Sequence, residues 1–208
     1  MTETVVGLLR HGQTDWNIDM RLQGTTDIPL NETGKAQAVE VAKYISAADW
    51  DDLISSPLSR AAETADLVGV AIGMNRSAVE PLLLERAFGI GEGLTYDEWR
   101  EQFRDLSVIP GGESLVELAD RCWKLLDELV AKHRGRRVLA VSHGALIRKV
   151  IELVSKNTLP LPGERFGNAS LSVIAHTDAS GWKILSFNPH TYRGEPLRST
   201  PVADEPIV

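Results

Sequence analysis

Two apolar runs in this chain end alike. Val5 to Leu9 passes directly into Arg10-His11-Gly12-Gln13-Thr14, and Leu139 to Val141 passes into Ser142-His143-Gly144. Each run reads as a buried strand whose last turn carries a polar cluster, and a helical pattern (Ala145, Leu146, Val150, Ile151, Leu153) follows the second. Strands buried on both sides and alternating with helices belong to an open α/β sheet. In such sheets ligands bind beyond the carboxyl ends of the strands. Glycine lets the backbone approach a ligand closely. Arg10 offers a planar donor fork suited to phosphate, and His11 is a nucleophile, acid or base near neutral pH.

A third element lies between them. Ile54-Ser55-Ser56 reads as a short strand, Pro57 suits a first helical position, and Arg60 then falls in the first turn. Helix N-termini bind anions through free N–H groups and the helix dipole. Three strand ends thus supply two arginines and two histidines, which points to a phosphate site.

With these residues the chain resembles the histidine phosphatase superfamily, in its phosphoglycerate-mutase-like branch. The resemblance spans about Val5 to Ser186. It rests on Arg10-His11-Gly12-Gln13-Thr14 with Asn17, on Arg21 to Leu30, on Gly34 and Gln37-Ala38, and on Ser56-Pro57-Leu58-Ser59-Arg60-Ala61 through Ala65. Leu84-Glu85 with Phe88-Gly89, Glu92-Gly93-Leu94-Thr95, Gly111 to Ser114 and Val141 to Gly144 continue it. The chain departs at Gly91, where many relatives carry a tryptophan. The implied fold is a single-domain three-layer α/β/α sandwich with a mostly parallel central sheet and helices on both faces. The expected core runs from about residue 5 to 187, and residues 188–208 form a loosely held, proline-containing tail.

The resemblance also implies roles. His11 is the nucleophile, and a phosphohistidine is the intermediate. Arg10, Arg60 and His143 bind the equatorial phosphate oxygens, with Asn17 and Gly144 as further donors. Gln23 and Gly24 match positions beside the substrate's non-reacting part. Glu85 matches the general acid. It closes the apolar run Pro81 to Leu84, where desolvation would favour its protonated form. Glu113 is expected to organise the Gly111-Gly112 loop, Asp15 to be exposed, and Trp16 to border the pocket.

Composition agrees with an enzyme domain. With 208 residues, 43% of them apolar, the chain can bury a full core. Its net charge of −7 leaves no basic field for nucleic acid. No apolar run is long enough to span a bilayer, and the start of the chain lacks signal-peptide character, so a cytoplasmic protein with no membrane partner is expected. Cys122 falls in an apolar helical pattern and reads as a core thiol. His133, His176 and His190 lack ligand spacing, so neither a metal nor a cofactor is expected. Dimers are common in the family, which makes a homodimer an option.

The punctuation of the chain supports further elements. Asn31 caps a helix to about Ser46, and Ser59 to Ile72 is helical up to Gly73. Ser114 to Glu117 is a capping box opening a helix to about His133. Ala169–His176 and Trp182–Phe187 form a hairpin around Asp178 to Gly181.

Three functions fit this sequence. The favoured one is a metal-independent phosphomonoesterase acting on a small phosphorylated metabolite. A mutase is the runner-up. It must exclude water, and the family's cofactor-dependent mutases carry a longer insertion rich in basic residues after the acid. Here 28 residues (86–113) follow Glu85, and Arg86, Arg100 and Arg104 are outnumbered there by acidic residues. A non-catalytic phospho-ligand module is the third.

Overall fold

The computed structural model describes residues 2–103 and 109–192. Six strands form one sheet: β1 (Glu3–Arg10), β2 (Asp52–Ser55), β3 (Ala78–Val79), β4 (Arg137–Ser142), β5 (Leu171–Thr177) and β6 (Gly181–Ser186). Their order is β3-β2-β4-β1-β5-β6. The first four are mutually parallel, and the β5–β6 hairpin adds antiparallel to β1.

A short helix, α1 (Asp15–Ile18), follows β1. Side-chain alternation divides the core in two. Val5 and Leu9 of β1, with Leu139 and Val141 of β4, face α2 (Glu32–Ala42) and α3 (Ser59–Ile72). Val6 and Leu8, with Val138 and Ala140, face α5 (Leu115–Lys132) and α6 (Gly144–Val154). The sheet therefore lies between two helical layers in a mixed α/β domain, as the sequence suggested. On α5, Leu118, Cys122, Leu125, Leu126 and Leu129 form one buried stripe. Burying each leucine stabilises by about 1.5–3 kcal/mol. Burial pushes the Cys122 thiol up to about 12, which suits a core role.

Local signals set most boundaries. Ser114 and Glu117 form the expected capping box, and Gly73 ends α3 in a left-handed conformation. Asn31 caps α2 through the Gly34 N–H, but the helix ends at Ala42 rather than near Ser46. Pro57 precedes α3 instead of opening it, because the helix begins at Ser59. The first N–H of α3 is also occupied. Asp27 Oδ1 accepts from Ser59 N and Ser59 Oγ, both at 2.8 Å, so this helix end is not the open anion site expected.

The core does not stop at Phe187. Gly167 N–H donates to Pro189 O, Tyr192 N–H donates to Ala169 O, and the Tyr192 ring is buried against Tyr44. The remainder of the expected tail lies outside the described residues.

Candidate active site

Register brings the two His-Gly elements together. Arg10 pairs with Ser142 in parallel β1–β4, so His11 and His143 each follow a matched strand end. His11 N–H donates to Ser142 O at 2.9 Å, and Ser56 N–H donates to Val141 O from the neighbouring strand end. The two imidazole centroids lie 5.2 Å apart, tilted by 56°.

A cavity of about 520 Å³ opens at this edge. Its lining includes Arg10, His11, Asn17, Gln23, Gly24, Arg60, Glu85 and Gly144, eight of the nine residues singled out from sequence. The ninth, His143, is fully buried beside His11. Trp16 borders the cavity as expected, and Asp15 is exposed.

The protonation state of His11 follows from its contacts. Nδ1 lies 2.6 Å from Gly12 O. A carbonyl only accepts, so Nδ1 carries the proton and Nε2 keeps a lone pair. Burial, then Arg60 and Arg10, hold the ring's pKa well below its ordinary value. Burial and Arg60 do the same for His143, with His11 adding to the effect. His143 Nε2 meets Ser56 Oγ at 2.7 Å, and its Nδ1 has no partner among the described residues.

Both arginines are held by backbone carbonyls. Arg10 Nη1 donates to Phe166 O, and Arg60 donates to Thr26 O at 2.9 Å and Gly24 O at 2.7 Å. Gly24 thus supports Arg60 as well as lining the cavity. Burial lowers both guanidinium pKa values, opposed chiefly by Glu85, yet an arginine stays charged in a protein. Among the described residues, Arg10 Nε, Arg60 Nε and Gln23 Oε1 are buried without partners. Such orphans are rare away from functional sites.

Glu85 departs from its expected apolar surroundings. It is half-buried, and its carboxylate accepts from Arg86 N at 2.9 Å, Leu146 N at 3.0 Å and Ala145 N at 3.1 Å. Two of those donors belong to the first turn of α6, where a carboxylate complements the helix dipole. Glu113 acts on the loop bearing Glu85. It pairs with Arg121 through two 2.7 Å contacts, and Arg121 donates to Leu82 O and Leu84 O.

Asn17 Oδ1 accepts from Thr14 N at 3.0 Å and Asn168 Nδ2 at 3.1 Å, which fixes its amide and directs its NH2 group elsewhere. Asn168, which the sequence reading missed, also donates to His11 O and Gly12 O. It stands just before β5. An antiparallel neighbour of β1 must start where β1 ends, and that placement was the available signal.

Trp99 of α4 (Tyr96–Gln102) lines the cavity and packs with Leu22, Phe88 and Ile109. Leu22 and Ile109 are also the nearest side chains to Gly91. An aromatic wall is thus present although position 91 has no side chain. The count of basic residues between Glu85 and Ser114 was a poor guide to the cavity's charge. Arg148, Lys149 and Arg165 reach it from α6 and the loop after it.

These features fit a phosphatase or mutase-type enzyme. The chain belongs to the histidine phosphatase superfamily (branch 1), whose family model matches residues 6–190. It is 35% identical over 189 residues to the uncharacterized phosphatase PhoE of Bacillus subtilis (strain 168), covering 91% of this chain and 96% of that protein. It is 34% identical over 217 residues to the probable phosphoglycerate mutase GpmB of Serratia proteamaculans (strain 568), covering 96% and 97%. A solved mycobacterial glucosyl-3-phosphoglycerate phosphatase with VO3 superposes with a TM-score of 0.76 at 32% identity, covering 88% of this chain and 98% of that one.

Proposed function

We propose that the protein is a metal-independent phosphomonoesterase that hydrolyses a small phosphorylated metabolite through a phosphohistidine on His11. The observation that carries this reading is the His11 tautomer. Nδ1–H is committed to Gly12 O, so Nε2 is the nucleophilic nitrogen, and burial beside two arginines keeps it unprotonated.

In the first step Nε2 attacks phosphorus and the ester oxygen departs. Arg10, Arg60, the Asn17 NH2 group and His143 stabilise the charge on the equatorial oxygens. The first N–H groups of a helix lack intrahelical acceptors, which makes the Gly144 amide at the start of α6 a further donor. Glu85 gives the leaving oxygen its proton. Its Oε2 accepts one protein N–H and retains a lone pair for that proton. In the second step Glu85 takes a proton from water, the water oxygen attacks the phosphohistidine, and phosphate leaves as the N–P bond breaks.

Hydrolysis is favoured over transfer because the cavity is open to solvent. Met20, Tyr96 and Leu115 line it and are 49%, 41% and 40% exposed. Transfer to a second bound acceptor requires water to be excluded. The test is phosphate release from an aryl phosphate by protein dialysed against a chelator. Steady release supports the reading. Release that needs an added metal contradicts it, and isomerised ester without free phosphate identifies a mutase. No turnover of any ester, together with tight binding of one, identifies a binding module.

A further inference from the structure

We propose that Gln37 and Asn168 are positioning residues that clamp the Gly12–Gln13 peptide and through it keep the proton of His11 on Nδ1. This role rests on attack by His11 Nε2, since the clamp decides whether that nitrogen has a lone pair. The Gly12 carbonyl is the acceptor that settles the tautomer, 2.6 Å from His11 Nδ1. The N–H at the other end of the same peptide belongs to Gln13. Turning the peptide over would bring that donor to face Nδ1. The ring would then answer with a lone pair on Nδ1 and its proton on Nε2. A nitrogen in that state cannot attack phosphorus.

The peptide needs holding because a glycine begins it. A Cβ at Gly12 would lie 2.3 Å from Gly34 O, and one at Gly34 would lie 2.1 Å from Gln13 O. The close packing of α2 on this turn therefore requires glycine at both positions. Glycine at position 12 leaves the peptide that follows it freer to turn. Both polar ends of that peptide are held by side-chain amides. Gln13 N–H donates to Gln37 Oε1 at 2.9 Å. Asn168 Nδ2 donates to Gly12 O at 3.2 Å and to His11 O at 3.1 Å. Each of these partners is a backbone group, so it fixes which way the amide points.

The two amides are themselves anchored. Gln37 lies on α2 one turn beyond Gly34, so the helix that packs on the turn also carries the group that holds it. Ala169 N–H donates to Arg10 O and His11 O, at 3.2 and 3.3 Å, and Thr191 Oγ1 donates to Asn168 O at 2.9 Å. Asn168 also lines the cavity and holds Asn17 Oδ1 at 3.1 Å. Gln37 does neither. Its side chain makes one hydrogen bond among the described residues, to Gln13 N. Changing Gln37 therefore separates the clamp from phosphate binding.

The test reads the tautomer without turnover. Nitrogen NMR of protein labelled in its histidines distinguishes a protonated ring nitrogen from a bare one. The His11 signals are those missing from His11→Ala protein. At neutral pH the parent should carry the proton on Nδ1. Each lost clamp bond should move the tautomer ratio about 2- to 10-fold toward Nε2–H, and Gln37→Ala combined with Asn168→Ala about 4- to 100-fold. Gln37→Glu keeps an accepting oxygen and should keep the parent's ratio. In Gln37→Ala protein, single-turnover phosphorylation should slow in proportion to the Nδ1–H fraction lost, with the inhibition constant for inorganic phosphate unchanged. A packing role alone would lower the melting temperature and leave the tautomer ratio as it was. An unchanged ratio in the double variant, or a parent already protonated on Nε2, overturns the clamp. If the double variant does not fold, equal ratios in Gln37→Ala and Gln37→Glu overturn it instead. A ratio that shifts as expected, in a protein whose His11 never gains a phosphoryl group, leaves the clamp standing and removes the phosphohistidine reading.

Discussion

Glu92 and Arg60 grip the same three-residue loop. Glu92 accepts the N–H groups of Thr25 and Thr26, each at 2.9 Å, together with both threonine hydroxyls. Arg60 donates to the Gly24 and Thr26 carbonyls of that loop. Burial opposes the charge on Glu92, but bonds from the Thr26 hydroxyl and from the Thr25, Phe88 and Thr26 amides outweigh it and hold its pKa below the ordinary value. Glu92 is therefore placed to position Arg60, the arginine proposed to bind phosphate.

Glu92→Gln turns an NH2 group toward donors and leaves N–H groups of the loop unmatched, at a cost of about 1 kcal/mol where they are partly buried. Stability should fall by that amount in denaturant titrations. The inhibition constant for inorganic phosphate should rise roughly 10-fold, the size of one lost hydrogen bond to a charged group. A purely structural role would leave Glu92→Gln and Arg60→Ala additive in kcat/KM, whereas positioning predicts that the second change adds little to the first. Gly24→Ala should be harsher. Position 24 has φ +55°, and a Cβ there would lie 2.1 Å from Glu92 Oε1.

Glu85→Gln should depend on the leaving group. General acid catalysis is worth ~10²–10⁴ in rate. Single-turnover phosphorylation by an alkyl phosphate should fall within that range, while an activated aryl ester, whose oxygen leaves without a proton, should lose much less. Equal losses for both ester types would mean that Glu85 positions substrate instead.

The buried histidines set an acid limit on stability. His11 and His143 are neutral when folded, with pKa values well below the ordinary one, and the unfolded chain takes up protons near pH 6.5. The unfolded state binds more protons below that pH, so stability falls as pH drops from about 6.5 toward the folded values. Each histidine contributes a slope of up to about 1.4 kcal/mol per pH unit. Melting temperatures of the His11→Ala protein should fall less steeply between pH 6.5 and 5 than those of the parent. Parallel curves would show that these shifts do not govern acid stability.

The sequence made some of this visible and hid the rest for physical reasons. β1 and β4 are continuous apolar runs, and α3 and α5 carry end signals at Gly73 and Ser114, so local chemistry marks them. Arg10, His11, Arg60 and His143 stand at or just beyond strand ends, where chain position alone predicts a shared edge. β3 is two exposed residues, too short to show a period. α4 went unassigned although Thr95 and Glu98 form a capping box that could have marked it. The surroundings of Glu85 depend on where the α6 N-terminus lands, and Arg148 and Arg165 reach the cavity from a region with no strand period. Those contacts arise from tertiary placement, which no local pattern encodes.

The proposed reaction requires His11 to carry the phosphoryl group. The most direct measurement is intact-protein mass spectrometry after rapid mixing with substrate and quenching without acid. One added phosphoryl group, labile to acid, stable to base and mapped to His11, is the result expected. It should be absent from His11→Ala protein, whose melting temperature at neutral pH should stay close to the parent's. Turnover without any such adduct, or an adduct that persists in His11→Ala, would contradict the account.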